Sequence, residues 1–148
     1  MAKIVSIAVS RKKGVPKTTV PQVRLTANHG IEGDAHAGPW HRQVSFLSSE
    51  SIERVKQEGL KVDFGDFAEN FATAGIDWTQ QPVGTRLKIG SQVAVEITQI
   101  GKECHSKCAI YYKAGDCIMP KEGIFAKVLQ GGTVKIDDPI ELIMADEG

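Results

Sequence analysis

The sequence predicts a mainly β domain with one or two short helices, and three observations carry that expectation. First, β-branched and apolar residues alternate in several short runs: Val5, Ile7 and Val9; Val23 and Leu25; Val93, Val95 and Ile97; Val134 and Ile136. Second, Gly and Pro punctuate these runs at short spacing, which favours hairpins and a curled or closed sheet over βαβ crossovers. Third, helical patterning is scarce.

The N-terminal run "KIVSIAV" reads as a strand that "RKKG" turns, because its apolar stretch is too short for the core of a signal peptide. "QVRLT" and "QVSFLS" are the next strands, separated by a loop rich in Gly and His. "SSESIERVKQEG" is the best helix: Ser48 or Ser49 can cap it, Glu50 and Glu53 suit its positive end, Ile52 and Val55 form an apolar edge, and Gly59 can stop it. "GIFAKVLQGG" is a second helix candidate with Gly131 as its stop. After it come the strand around Val134 and, beyond Pro139, a final strand "IELIM".

At 148 residues the chain has the length of one domain, and no repeat or linker divides residues 1–148. Lys and Arg number 18, as do Asp and Glu, so no net charge drives binding to nucleic acid or to an acidic membrane. No apolar stretch approaches the roughly 20 residues that span a bilayer. A cytoplasmic location is the expectation. The odd count of three cysteines leaves at least one thiol unpaired within the chain, which fits a reducing compartment.

Three stretches could carry chemistry. "NHGIEGDAHAGPWHRQVSFLS" gathers His29, His36 and His41 with Asp34 and Arg42 on a loop, where binding groups commonly sit on a rigid sheet. Gly33 and Gly38 would let backbone N–H groups approach a ligand, and Arg42 could clamp a phosphate or carboxylate. The same residues also suit a solvated loop of hydrogen-bonded turns. "GDFAENFATAGID" sets Glu69 and Asn70 between Phe67 and Phe71. Asn70 could read a heterocycle or a backbone amide, or it could cap a turn while both Phe residues enter the core.

The third stretch, "GKECHSKCAIYYKAGDCIMP", holds Cys104, Cys108 and Cys117. With His105 they offer four zinc ligands, although their spacing lacks the paired C-x2-C knuckles of structural zinc sites. A Cys104–Cys108 disulfide suits a cytosolic chain poorly. Lys102, His105 and Lys107 surround Cys104, and nearby positive charge raises a thiol's thiolate fraction. A thiolate is both a sulfur nucleophile and a soft metal ligand. Cys108 and Cys117 precede apolar residues, which suits buried, inert thiols.

These stretches together resemble a known family. "GIEGDAHAG" followed by "RQVSFLS", then "ENFATAGIDW", "PVGTRLKIG", "VEITQIGKEC" and "GIFAKVLQGGTVKIDDPIEL" resemble, in order, the segments of MOSC domains, named for the C-terminal domain of molybdenum-cofactor sulfurases. The matches run from about Lys3 to Leu142, so the resemblance covers nearly the whole chain and is to a small stand-alone member. It implies a single β-barrel-like domain acting in molybdenum-cofactor (molybdopterin) maturation or delivery. By position it makes Cys104 the functional cysteine, as persulfide carrier or molybdenum thiolate ligand, with Cys108 as the alternate. It also makes Asp34, His36, Arg42 and Asn70 candidates to line the cofactor pocket. Many relatives carry Pro immediately before the cysteine, where this chain has Glu103.

The resemblance further implies partners: a cysteine desulfurase as sulfur donor, since no pyridoxal-phosphate domain fits in this length, and cofactor-biosynthesis proteins or molybdoenzymes as acceptors. Two alternatives stand beside this expectation. One is a molybdenum-cofactor-dependent reductase component for N-hydroxylated compounds that takes electrons from partner proteins. The other is a zinc-stabilised interaction domain.

Overall fold

A computed structural model describes residues 2–13, 15–59, 61–101 and 122–143. Within them lie strands β1 (Lys3–Val9), β2 (Thr18–Val20), β3 (Gln22–Thr26), β4 (Gly30–Ile31) and β5 (Val44–Ser48), then helix α1 (Ser49–Gln57). Strands β6 (Phe71–Ala74), β7 (Arg86–Ile89), β8 (Val93–Ile100), β9 (Ile124–Gln130), β10 (Gly132–Lys135) and β11 (Ile140–Ile143) follow. The fold is mainly β, as the sequence predicts. Among the described residues, no helix is long and apolar enough to cross a membrane.

Eight strands form one sheet in the order β11-β7-β8-β9-β5-β6-β1-β2, and β10-β3-β4 form a second. The barrel expected from the resemblance is not closed. The sheet curls until β1 meets the chain entering β11, where Ile4 N donates to Asp138 O and Ile140 N donates to Ala2 O, both at 2.9 Å. Only an isolated bridge between Lys3 and Pro139 forms there. Pro139 has no N–H to donate, and the positive φ of 75° at Asp137 turns the backbone out of strand geometry.

Hairpin pairing dominates, but β5 and β6 pair in parallel with α1 as their crossover, so one βαβ unit interrupts the antiparallel pattern. The helix follows its sequence signals. The exception is the cap: Ser48 occupies the N-cap position, but its hydroxyl donates to the Glu50 carboxylate and makes no capping bond to the helix, while Ile52 and Val55 are buried as expected. The second expected helix is instead strand β9, paired with both β5 and β8. Its Ile124, Phe125, Ala126 and Val128 are all buried, so a central place in the sheet outweighs a four-residue apolar spacing that mimics a helix.

Core burial explains the remaining strands. Val93, Val95 and Ile97 alternate inward as their spacing predicts. In β1, a register shift between Ile4 and Ser6 breaks the alternation and puts Ile4 and Ile7 in the core, with Val5 and Val9 half-buried. Phe46, Phe71 and Trp78 form an aromatic centre with ring centroids 5.0–5.1 Å apart. A second cluster of Leu47, Ile52, Val55, Phe67 and Phe125 lies under α1. Strand β5 serves both clusters, which is why all five of its residues are buried.

Candidate functional site

The loop between β4 and β5 is pinned to the end of β1. Ala35 N donates to Ser10 O at 2.8 Å, and Ser10 N donates to Asp34 Oδ1 at 3.0 Å. Gly38 N reaches back past β4 to donate to His29 O at 2.7 Å, and within the loop Trp40 Nε1 donates to His36 O at 2.7 Å. Gly30 has a φ of 120°, and a Cβ there would lie 2.7 Å from Gln43 O, so only glycine lets the loop start this close to the chain entering β5.

Beneath the loop lies an ion pair that the sequence did not suggest. Lys17, just before β2, places its Nζ 2.8 Å from Asp34 Oδ1, with both side chains fully buried. The ammonium also bonds Ser10 Oγ at 2.9 Å and lies 3.1 Å from His36 Nδ1. The other oxygen of Asp34 accepts the backbone N–H of His36 at 3.1 Å. Burial alone would raise the pKa of Asp34, but its contacts with His36, Lys17 and Ser10 overcome this and hold it well below the usual carboxylate range.

Above this buried layer sits a cationic and aromatic rim. The His36 ring is parallel to Trp40, with interplanar angle 6° and centroids 6.4 Å apart, and it tilts against Phe125. Lys13 Nζ lies 4.2 Å from the centre of the Trp40 ring, and Arg42 Cζ lies 5.2 Å from that of Phe125. Arg42 Nε and His41 Nε2 both meet Gln99 Oε1, at 3.0 and 2.9 Å, and Gln99 Nε2 donates to Gly101 O at 2.7 Å. The guanidinium's terminal nitrogens have no hydrogen-bond partner among the described residues.

The structure therefore supports His36 on Asp34 and sets Arg42 against the Phe125 ring that His36 also meets. Asn70 lies elsewhere, in a buried strut between strands. Its Oδ1 accepts Ser45 N at 3.0 Å, its Nδ2 donates to Ala8 O at 3.1 Å, and its own N–H donates to Ser45 Oγ at 2.9 Å. Phe67 and Phe71 beside it are both core residues. Lys13, Lys17, Trp40, Gln99 and Phe125 belong to the cluster yet were not legible as site residues. Lys17 lies in "GVPKTTV", where nothing marks one lysine as buried.

Cys104, Cys108, Cys117 and His105 fall outside the described residues, and the zinc-site and disulfide readings fall there with them. The ends flanking residues 102–121 are tied together, because Gly101 N donates to Gly123 O at 2.7 Å. Through Gln99, that junction adjoins His41 and Arg42. Among the described residues, no group of three or more His, Cys, Asp or Glu side chains is arranged to hold a metal.

Comparison with known proteins places this geometry. The chain superimposes on the YuaD protein of Bacillus subtilis with a TM-score of 0.78 at 20% identity, over 95% of this chain and 94% of that one. It superimposes on YiiM of Geobacillus stearothermophilus with a TM-score of 0.74 at 22% identity, over 100% of this chain and 78% of that one. YiiM of Escherichia coli gives 0.72 at 20% identity, over 100% and 72%. At these identities the likeness is one of fold. No curated protein matches the sequence significantly. The family model described as "MOSC domain" matches residues 32–141, a span that takes in the loop, Gln99 and the cysteine stretch but begins after Lys13 and Lys17. That span is most of the chain, so the protein belongs to the MOSC domain family, which is associated with molybdenum-cofactor systems and sulfurase-related function.

Proposed function

We propose that the chain binds the molybdenum cofactor at the rim formed by Lys13, His36, Trp40, His41 and Arg42 and carries sulfur or ligates molybdenum through Cys104. The observation that supports this reading most is the position of that rim. Its cations and ring faces adjoin Gly101 through Gln99, and Cys104 follows Gly101 by three residues in the chain.

The donor set fits such a group. Arg42 offers the free edge of its guanidinium to an anionic phosphate, and Lys13 adds a second exposed cation. Trp40, which is only half-buried, offers an indole ring beside them that suits a planar heterocycle. Asp34 contributes no free charge, because Lys17 neutralises it, so the buried carboxylate does not repel an anion above it. When bound, the cofactor would supply a metal centre to which a soft cysteine thiolate can coordinate. Asn70 acts at one remove, by fixing the strands on which the loop rests.

Sulfur loading needs no redox partner. The Cys104 thiolate attacks the terminal sulfur of a persulfide on a cysteine desulfurase. The donor's S–S bond breaks, its cysteine departs as thiolate, and Cys104 becomes the persulfide. Cofactor-biosynthesis proteins or molybdoenzymes are the proposed acceptors, and the reducing cytoplasm is the proposed setting.

The test is to incubate the full chain with a cysteine desulfurase and cysteine, and separately with the cofactor. Mass spectrometry then reads persulfide and fluorescence reads retained pterin. Cys104→Ala should abolish persulfide, while Arg42→Ala should weaken cofactor retention about tenfold, the loss expected when one charge-assisted bond to phosphate is removed. Equal persulfide loading of Cys104→Ala and the parent would refute the role of Cys104. Equal retention by Arg42→Ala would refute the rim as the phosphate site.

A further inference from the structure

We infer that Lys17 is a positioning residue that fixes the tautomer of His36, making the ring a hydrogen-bond donor at Nε2 and selecting acceptor oxygens on the ligand.

The argument begins with what an ammonium group can do. Lysine has three donors and no acceptor, so a neutral imidazole nitrogen within bonding distance of Nζ must accept. His36 Nδ1 lies 3.1 Å from Lys17 Nζ. The ammonium is fully buried and held by Asp34 Oδ1 and Ser10 Oγ, so it is fixed in its orientation towards the ring. The carboxylate does not compete for a proton on Nδ1. Asp34 Oδ2 is 3.7 Å from that nitrogen, beyond a hydrogen bond, and it already accepts the His36 backbone N–H at 3.1 Å. The neutral ring must therefore carry its proton on Nε2.

The aromatic setting preserves this orientation. Trp40 lies parallel to the ring, Phe125 tilts against it, and Trp40 is itself tied to His36 O, so the imidazole is flanked by ring contacts and anchored through its own backbone. Nε2 has no hydrogen-bond partner among the described residues. Beside the open edge of Arg42 and the Lys13 ammonium, His36 Nε2 then adds a third donor to the rim. Such a surface recognises the oxygens of a phosphate or a ring carbonyl and disfavours a ligand that offers N–H groups there. This selectivity deepens the cofactor reading, but the tautomer itself is measured without any cofactor, so either idea can fail alone.

Long-range nitrogen–proton NMR of the labelled full chain at about pH 8, where an ordinary imidazole is neutral, reads the tautomer directly. His36→Gln identifies the resonances. The parent should show an acceptor-type Nδ1 and a protonated Nε2, and Lys17→Met should redistribute the proton between the two nitrogens. A parent protonated at Nδ1 overturns the inference, and so does a Lys17→Met spectrum identical to the parent's. The parent spectrum decides even if Lys17→Met fails to fold. Inorganic phosphate and an uncharged pterin, titrated separately, distinguish the two oxygen sources. A shift of the Nε2 resonance with either supports the donor role, and no shift with both refutes it.

Discussion

Lys17 stands between two buried carboxylates that respond to burial in opposite ways. Its ammonium pairs with Asp34, while its backbone N–H donates to Gly65 O at 2.7 Å, in the turn held by Glu69. Glu69 is 1% exposed and accepts Gly65 N at 2.6 Å and Phe67 N at 3.2 Å. Those bonds do not overcome burial, and the charge of Asp66 adds to it, so the Glu69 carboxyl is pushed up to about 7. Asp34 suffers burial too, yet stays ionised far into acid. Depth alone does not decide the charge of a buried acid. A cation in contact separates the two, since backbone dipoles only partly replace lost water.

Removing that cation should produce the largest effect. In Lys17→Met, Asp34 keeps its buried position but loses the ammonium that stabilises its charge, a change that typically costs about 3–5 kcal/mol. Urea unfolding at neutral pH measures the loss. The acid limb should change as well. Because the folded-state pKa of Asp34 is depressed, its contribution is present above its unfolded value of about 3.8 and fades as pH falls. In the variant, destabilisation should begin at higher pH. A loss below about 1 kcal/mol would mean that Asp34 is as tolerant of isolation as Glu69, and the contrast would collapse.

Glu69→Gln tests the other side. The sign is opposite: a folded-state pKa of about 7 against an ordinary 4.5 means the neutral acid suits the fold. The contribution of Glu69 is full below about pH 4.5 and is lost as pH rises through 7, a fall of about 3 kcal/mol at 1.36 kcal/mol per pKa unit. Glutamine should flatten that slope. It should also cost about 1–3 kcal/mol at low pH, because its amide nitrogen cannot accept the second backbone N–H. Unfolding free energies at pH 5 and pH 8 settle it; parallel slopes for parent and variant would show that Glu69 is not the titrating group.

The same contrast explains what could be read from the chain beforehand. "SQVAVEITQ" shows its strand openly because one face is buried and the side chains alternate. α1 likewise carries its acidic first turn and its buried edge within a few consecutive residues, although Ser48 at its start makes no capping bond. β9 misleads because both faces of its first part are covered, one by the main core that takes Ile124, Ala126 and Val128 and the other by the cluster under α1 that takes Phe125, so its apolar residues lose the period that marks a strand. At the site, Asp34, His36 and Arg42 are visible as polar residues crowded into one Gly-rich loop. Their supports are not: Ser10, Lys17, Gln99 and Phe125 arrive from β1, the approach to β2, β8 and β9. Long-range pairings set these contacts, and no local pattern records that the ammonium of Lys17 ends beneath a loop 17 residues away.

A third carboxylate bounds the comparison from the exposed side. Glu122 receives both terminal nitrogens of Arg54 and the Ser51 hydroxyl, and the Arg54 pairing is the main reason its pKa is lowered. This resembles Lys17–Asp34 in bonding but not in setting, because the Arg54 side chain is 51% exposed and water screens the pair. Arg54→Ala should therefore cost no more than about 1 kcal/mol, although the pair has good bidentate geometry. The deficit should shrink in about 1 M salt, where screening acts within a few ångströms. Urea unfolding at low and high salt is the measurement. Glu122 precedes Gly123, the partner of Gly101 at the base of residues 102–121, so the variant also tests how firmly that junction depends on α1. A salt-insensitive loss of several kcal/mol would place Arg54–Glu122 with the buried pair, and exposure would no longer distinguish the two.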